Sequence, residues 1–375
     1  MKIAFLDTID WDYSPLTPYE RPLGGSQSAL CYLSAAMAAD GHDVALVNNI
    51  GRPGVYAGVT CPGREAGMAA DFLNGFDAVI VLNVAQGRHL RQRGVATRLV
   101  LWAQHATDQP DVASLKDPGE RAAWDAFAMV TEWQGAAYVR DLGVDQERIV
   151  IMRNAVAPMF ESLARKRPPF FIRGEAPLLV YTSTPFRGLD ILLMAFPMIR
   201  ALVPGCRLKV YSSLQIYGVA PEKDEFRILY ELARAIDGVE YVGSISQRRL
   251  ADALSEADIL AYPNTFPEMA CIAVMEAMAA GCLVLTSKLG ALPETSAGFG
   301  FLMDPASDVM GFADNFIRMT TGVATAARDD PEKFRAHIDR QTAFVRDTYT
   351  WQARAREVAR WAAMLPSRPG PGRAG

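Results

Sequence analysis

Two acidic residues carry the most chemistry in this sequence. Glu268 and Glu276 are separated by seven residues in the run Phe266-Pro267-Glu268-Met269-Ala270-Cys271-Ile272-Ala273-Val274-Met275-Glu276. A proline-bearing loop, Tyr262-Pro263-Asn264-Thr265-Phe266-Pro267, comes before them, and an alanine-rich apolar helix ending at Gly281 follows. The first carboxylate therefore falls on a loop entering a helix and the second lies inside that helix. Between them are the backbone N–H groups of a helix N-terminus, which attract anionic and oxygen-rich ligands. A carboxylate on each side of such a patch suits a molecule with both hydroxyls and phosphates, as a nucleotide sugar has.

Other residues could join this chemistry. Arg187, in Thr182-Ser183-Thr184-Pro185-Phe186-Arg187-Gly188, follows a predicted strand and has a fork suited to phosphate oxygens. A helix-capping or surface role is equally open to it. His105, in Trp102-Ala103-Gln104-His105, stands just past the end of another predicted strand, where ligands of α/β proteins bind. His42, His89 and His337 have no such placement. Gly24-Gly25, between the first strand and the first helix, permits close backbone approach, with Ser26 as a plausible N-cap. The pair does not form the GxGxxG dinucleotide fingerprint. Asp10-Trp11-Asp12 has the DxD form that holds a divalent ion in some sugar transferases, but no second acidic cluster completes a cage. No metal site is expected.

The elements that must hold these residues follow from the apolar runs. In the first half they are 3–6, 44–47, 78–82, 99–102, 128–131 and 149–152; in the second, 178–181, 208–211, 239–242, 259–262 and 283–286. Runs this short and apolar suit strands of a parallel sheet buried on both faces, and the segments between them have helical spacing. The class is α/β, with the pattern running twice. Residues 157–177 have linker composition. The expected domains are 1–160, joined by a C-terminal helix 350–365, and 170–345, with a disordered tail 366–375. The 375 residues fit two domains at ~150 residues each. A net charge of −4 argues against bulk affinity for nucleic acid. The five cysteines have no metal-ligand or CxxC spacing and read as reduced core thiols. No run reaches the ~20 apolar residues of a membrane span. The expected location is cytoplasmic; the basic clusters at 88–98 and 165–167 are compatible with peripheral contact at the inner face of a membrane.

Taken together these pieces resemble glycosyltransferase family 4, retaining enzymes of GT-B fold with two Rossmann-like domains facing across a cleft. The resemblance covers nearly the whole chain. Its most specific part is Pro267 through Gly281, which is similar to the family's E-x7-E signature. Arg153-Asn154-Ala155-Val156, Val242-Gly243 and Ser287-Lys288-Leu289-Gly290-Ala291-Leu292-Pro293-Glu294 add to it. The resemblance implies a hexosyltransferase using a nucleotide diphosphate sugar, UDP- or GDP-linked, with no other cofactor. The acceptor would be a glycan, a lipid-linked glycan or a small molecule, docked on the first domain. Glu268 would bind donor-sugar hydroxyls near the anomeric centre. The N–H groups of Met269, Ala270, Cys271 and Ile272 would meet the sugar and diphosphate, and Glu276 the ribose. Arg187 would neutralise the diphosphate, with Gly24-Gly25 approaching it, and His105 would contact the sugar. Ser244 and Ile245 would face the base. The sequence departs from the family where an earlier Gly-Arg pair is usual: Ser183 or Thr184 stands there, and Arg187 replaces the usual Lys. One cation on the diphosphate is then missing unless another, such as Arg153, substitutes. That gap keeps a non-catalytic nucleotide-sugar-binding protein open as an alternative. A dehydrogenase is disfavoured by the missing fingerprint. Oligomeric state is not readable from the sequence.

Overall fold

The computed structural model describes residues 1–366. The chain forms two compact units. One comprises Met1–Pro18, Gly25–Ala155 and the chain from Trp351; the other comprises Tyr19–Gly24 and Val156–Thr350.

The first unit is built on eight strands: β1 (Lys2–Leu6), β2 (Asp43–Val47), β3 (Gly54–Tyr56), β4 (Val59–Cys61), β5 (Ala78–Leu82), β6 (Arg98–Ala103), β7 (Ala126–Met129) and β8 (Ile149–Ile151). Their order is β3-β4-β2-β1-β5-β6-β7-β8, parallel except for the β3–β4 pair. The central strands are apolar on both faces because helices cover both sides. Val47, Val81, Leu101 and Phe127 share one core cluster with Trp124 and Tyr138. The C-terminal helix Trp351–Met364 packs on the helix Gly25–Ala39. It buries Trp351, Ala355, Val358 and Ala362, and the Trp351 ring lies 6.2 Å from that of Tyr32.

The second unit has six strands: β9 (Leu178–Tyr181), β10 (Arg207–Val210), β11 (Val239–Tyr241), β12 (Ile259–Tyr262), β13 (Leu283–Ser287) and β14 (Phe301–Met303). They run in the order β11-β10-β9-β12-β13-β14, with every pair parallel. The chain leaves β9 toward β10 on one side and later returns to lay β12 on the other. This reversal opens a crevice outside the carboxyl ends of β9 and β12, the place where open parallel sheets bind ligands.

Several sequence expectations need adjustment. The run 128–131 is displaced: β7 ends at Met129, and Thr131 caps the next helix, its side chain accepting from Gln134 N. Ser26 is not an N-cap, because the helix already begins at Gly25. Residues 157–177 are not a bare linker. Short helices at Pro158–Glu161 and Phe170–Arg173 bury Phe160 and Phe170. Buried Asp258 binds this segment to the sheet, accepting from Phe170 N at 3.0 Å, Leu178 N at 3.0 Å and Arg165 Nη2 at 3.2 Å. The tail expected at 366–375 lies, apart from Pro366, outside the described residues. Among the described residues no helix is long and apolar enough to cross a membrane.

Candidate active site

The crevice of the second unit gathers the loops after β9 and β12. Cys271 stands at the cap position of the helix Ile272–Ala279, so Glu268 precedes the helix and Glu276 lies in its second turn. Both carboxylates are buried, with 4% and 3% of their surface exposed. Buried carboxylates are costly unless paired or protonated, and these two meet that cost differently.

Glu268 is paired. Its Oε1 accepts from the Tyr262 hydroxyl at 2.5 Å and from Arg187 Nη1 at 3.1 Å. The Arg187 guanidinium lies 5.4 Å from the centre of the Phe186 ring and 5.1 Å from that of Phe266, close enough for cation–π attraction from each. Burial opposes the Arg187 charge, but the Glu268 carboxylate together with Tyr262, Tyr217 and Cys271 outweighs it and raises the pKa. The cation is therefore permanent. Ser183 Oγ lies 3.3 Å from the Tyr262 hydroxyl, and the buried Thr184 accepts at its carbonyl from the Tyr181 hydroxyl at 2.6 Å.

Among the described residues no cation pairs with Glu276. Burial pushes its carboxyl up to about 8, while the Gln247 side chain pulls it the other way. Its Oε1 has no hydrogen-bond partner among the described residues. This leaves one buried carboxyl oxygen, in the second turn of the helix, able to take a further hydrogen bond. Met269 and Cys271 are buried between the two acids, and Ala270 and Ile272 are half-buried.

The backbone under Glu268 is fixed from three sides. Phe266 N donates to Asn264 Oδ1 at 3.1 Å, and Ser287 Oγ donates to the Asn264 carbonyl at 2.6 Å. Ala291 N donates to the Glu268 carbonyl at 2.7 Å. Gly290 presses against the same peptide: with φ +60°, a Cβ there would stand 2.4 Å from Glu268 O. Gly188, at φ +96°, similarly meets the Pro263 carbonyl, where an added Cβ would be 2.0 Å away. The loops after β9 and β12 can approach this closely only because position 188 has no side chain.

A second concavity, about 330 Å³, opens past the ends of β10 and β11. Its walls include Ser213, Asp224, Tyr230, Arg234, Tyr241 and Ser244. Ser213 and Ser244 share a hydrogen bond at 2.6 Å, and the Arg234 guanidinium lies 4.4 Å from the centre of the Tyr241 ring. Ser244 is thus a wall of a real pocket, and half-buried Ile245 is not part of its lining.

In the first unit, His105 follows β6. Its Nδ1 is 3.2 Å from Asp111 Oδ2, and its carbonyl accepts from Gln134 Nε2 and Tyr138 Oη. Burial lowers the His105 pKa; Asp111 and Asp7 partly offset this. Gly25 opens the first long helix, whose Gln27 donates to buried Asp7 at 3.1 Å. Asp10 pairs with Arg64 at 2.5 Å, and Asp12 accepts from Gly51 N at 2.9 Å, so both acids of the DxD run hold loops. Among the described residues no group of three acidic, histidine or cysteine side chains could hold a metal. Arg153 lies 3.7 Å from Glu132 in this first unit.

Sequence reasoning missed Tyr262 and Gly290. A hydroxyl on the last residue of an apolar strand was the available signal for Tyr262. Nothing local marks Gly290 as touching Glu268.

Each unit is a Rossmann-like domain, and the fold of the chain is GT-B. Residues 176–322, within the second unit, match the model of the family described as Glycosyl transferases group 1. The chain is 24% identical to a phosphatidyl-myo-inositol mannosyltransferase of Propionibacterium freudenreichii subsp. shermanii, over 73% of this chain and 75% of that one. In fold it is similar to a glycosyltransferase from Rickettsia africae ESF-5, with TM-score 0.73, 12% identity, and 97% and 98% of the two chains covered. It is also similar to Anabaena HepE in complex with UDP-glucose, with TM-score 0.66, 15% identity, and 97% and 100% covered.

Proposed function

We propose that this protein is a retaining, metal-independent glycosyltransferase that moves a hexose-type sugar from a nucleoside diphosphate to a glycan, lipid-linked or small-molecule acceptor. The observation that carries the proposal is the Arg187–Glu268 pair in the crevice of the second unit, together with the buried Glu276 oxygen that has no partner among the described residues. The barrier in such a reaction is departure of the diphosphate from an anomeric carbon gaining positive charge. Arg187 and the N-terminus of the helix Ile272–Ala279 offer positive potential for the leaving group, and Glu268 offers negative potential for the sugar. In a retaining front-face course the acceptor oxygen bonds to the anomeric carbon as the carbon–phosphate oxygen bond breaks. The departing phosphate takes the acceptor proton. Glu276 accepts from the ribose hydroxyls in this scheme, and the pocket beside Ser244 is the base side.

The supporting relatives carry names of hexosyl or UDP-sugar chemistry, a mannosyltransferase and a UDP-glucose complex. A thermal-shift screen against UDP, GDP and their hexose esters tests donor binding, since a ligand of the folded state raises the melting temperature by mass action. Transfer from the best donor should then persist in EDTA. It should fall by about a hundredfold or more in Glu268→Ala and Arg187→Ala, the scale of losing one transition-state electrostatic contact. Near wild-type transfer in either variant would refute the assignment. Tight donor binding with no turnover over a broad acceptor panel would instead favour the non-catalytic alternative, which the single diphosphate cation motivates.

A further inference from the structure

We propose that Tyr262 is the positioning residue for Glu268 and fixes which carboxylate oxygen is presented to the donor sugar; this rests on the donor-site assignment above. Both contacts on the Glu268 carboxylate fall on Oε1, from Tyr262 Oη at 2.5 Å and from Arg187 Nη1 at 3.1 Å. Among the described residues Oε2 takes no hydrogen bond, so it is the oxygen left for a ligand hydroxyl. The two partners differ in mobility. Arg187 sits at the end of a long side chain on a loop, and a bound diphosphate would draw its guanidinium away from Oε1. Tyr262 is the last residue of β12, fully buried, with its strand paired to β9 and β13. The ring packs edge-on against Tyr181, the last residue of β9, with 5.8 Å between centres. Its hydroxyl cannot follow the diphosphate. It is the contact that still orients Glu268 when the donor is in place. Burial and the adjacent Glu268 charge push the Tyr262 hydroxyl well above its ordinary pKa, so it remains a donor at all working pH values.

The consequence is selective. Tyr262 acts on the sugar through Glu268 and has no direct role toward the nucleotide. Titration calorimetry on the full chain with UDP and GDP, and with UDP-glucose and GDP-mannose, compares wild type with Tyr262→Phe. The variant should bind the preferred free diphosphate within about twofold of wild type. Its affinity for the sugar ester, or its kcat, should fall by about tenfold to a hundredfold, the range for losing a hydrogen bond to a charged group. Equal weakening of both ligands alongside a lower melting temperature would mark a merely structural tyrosine and overturn the inference. So would wild-type sugar affinity and kcat. If Tyr262→Phe does not fold, 3-fluorotyrosine at position 262 keeps the shape and alters only the donor strength of the hydroxyl. A changed preference for sugar ester over diphosphate then supports the inference, and no change overturns it. Wild-type protein that binds none of the four ligands would refute the donor site and this inference with it, a failure visible without any variant.

Discussion

Glu276 shows how burial alone can set the behaviour of a single residue. Its carboxyl is pushed up to about 8, from an ordinary value of 4.5. Between those values the folded chain holds a proton that the unfolded chain has released. Stability therefore falls as pH rises through this window. Replacing Glu276 with Gln removes the effect: melting curves at pH 5 and pH 8 should show wild type losing stability relative to Glu276→Gln, at up to about 1.4 kcal/mol per pH unit. In the scheme proposed above, ribose hydroxyls donate to the ionised Glu276 carboxylate, so nucleotide binding near pH 7 should release a proton. Calorimetry in buffers of different ionisation enthalpy measures that release. A binding heat independent of buffer would show that Glu276 does not change protonation on binding. Neither expectation was accessible from the E-x7-E spacing, which places the carboxylate in a helix but says nothing of its solvent.

The loops after β9, β12 and β13 act as a unit at the scale of elements. Gly290 and Gly188 matter here because a side chain at either position would collide with the backbone that carries Glu268 or Pro263. Gly290→Ala should destabilise by roughly 1–3 kcal/mol through overpacking, with a further ~1 kcal/mol for the left-handed backbone. It should also reduce transfer more than its melting temperature suggests, because the peptide it displaces is that of Glu268. Gly298→Ala is the control: its φ is +80°, but nothing lies within 4 Å of the added methyl. It should carry only the backbone cost and leave transfer unchanged. Thermal melts and single-time-point transfer assays on both variants test this, and equal transfer in the two would refute a positioning role for the Gly290 contact. The strands themselves were legible as apolar runs, with β9 and β12 placed to the residue. The β3–β4 hairpin and β14 were not, because Gly54 and Val55 are exposed and three-residue strands give no period to read. The shift of β7 came from Thr131, whose cap role competed with its strand-like neighbours.

For the whole molecule, chain order and unit membership diverge. The last helix, Trp351–Met364, belongs to the first unit, although the second unit ends just before it. Ending the chain after Thr350 should expose the face of the helix Gly25–Ala39 that holds Trp351 and Val358. Loss of those two buried side chains alone is worth about 4–6 kcal/mol, so the first unit should melt early or fail to fold. The second unit keeps its own core. Two-step melting followed by tryptophan fluorescence and nucleotide protection should show an early loss of the first unit with donor binding retained. Simultaneous loss of both would contradict the independence of the second core.

The sequence by itself determined the α/β class, the doubled pattern, and the placement of Glu268 before a helix and Glu276 within it. These are properties of hydrophobic period and local helix chemistry, which act over a few residues. Only the tertiary structure decided which partners those carboxylates meet. Tyr262 and Arg187 reach Glu268 because β12 lies beside β9, and Gly290 reaches it because β13 lies beside β12. Register between strands far apart in sequence sets those contacts, and with them the burial of both carboxylates. No local pattern encodes that register.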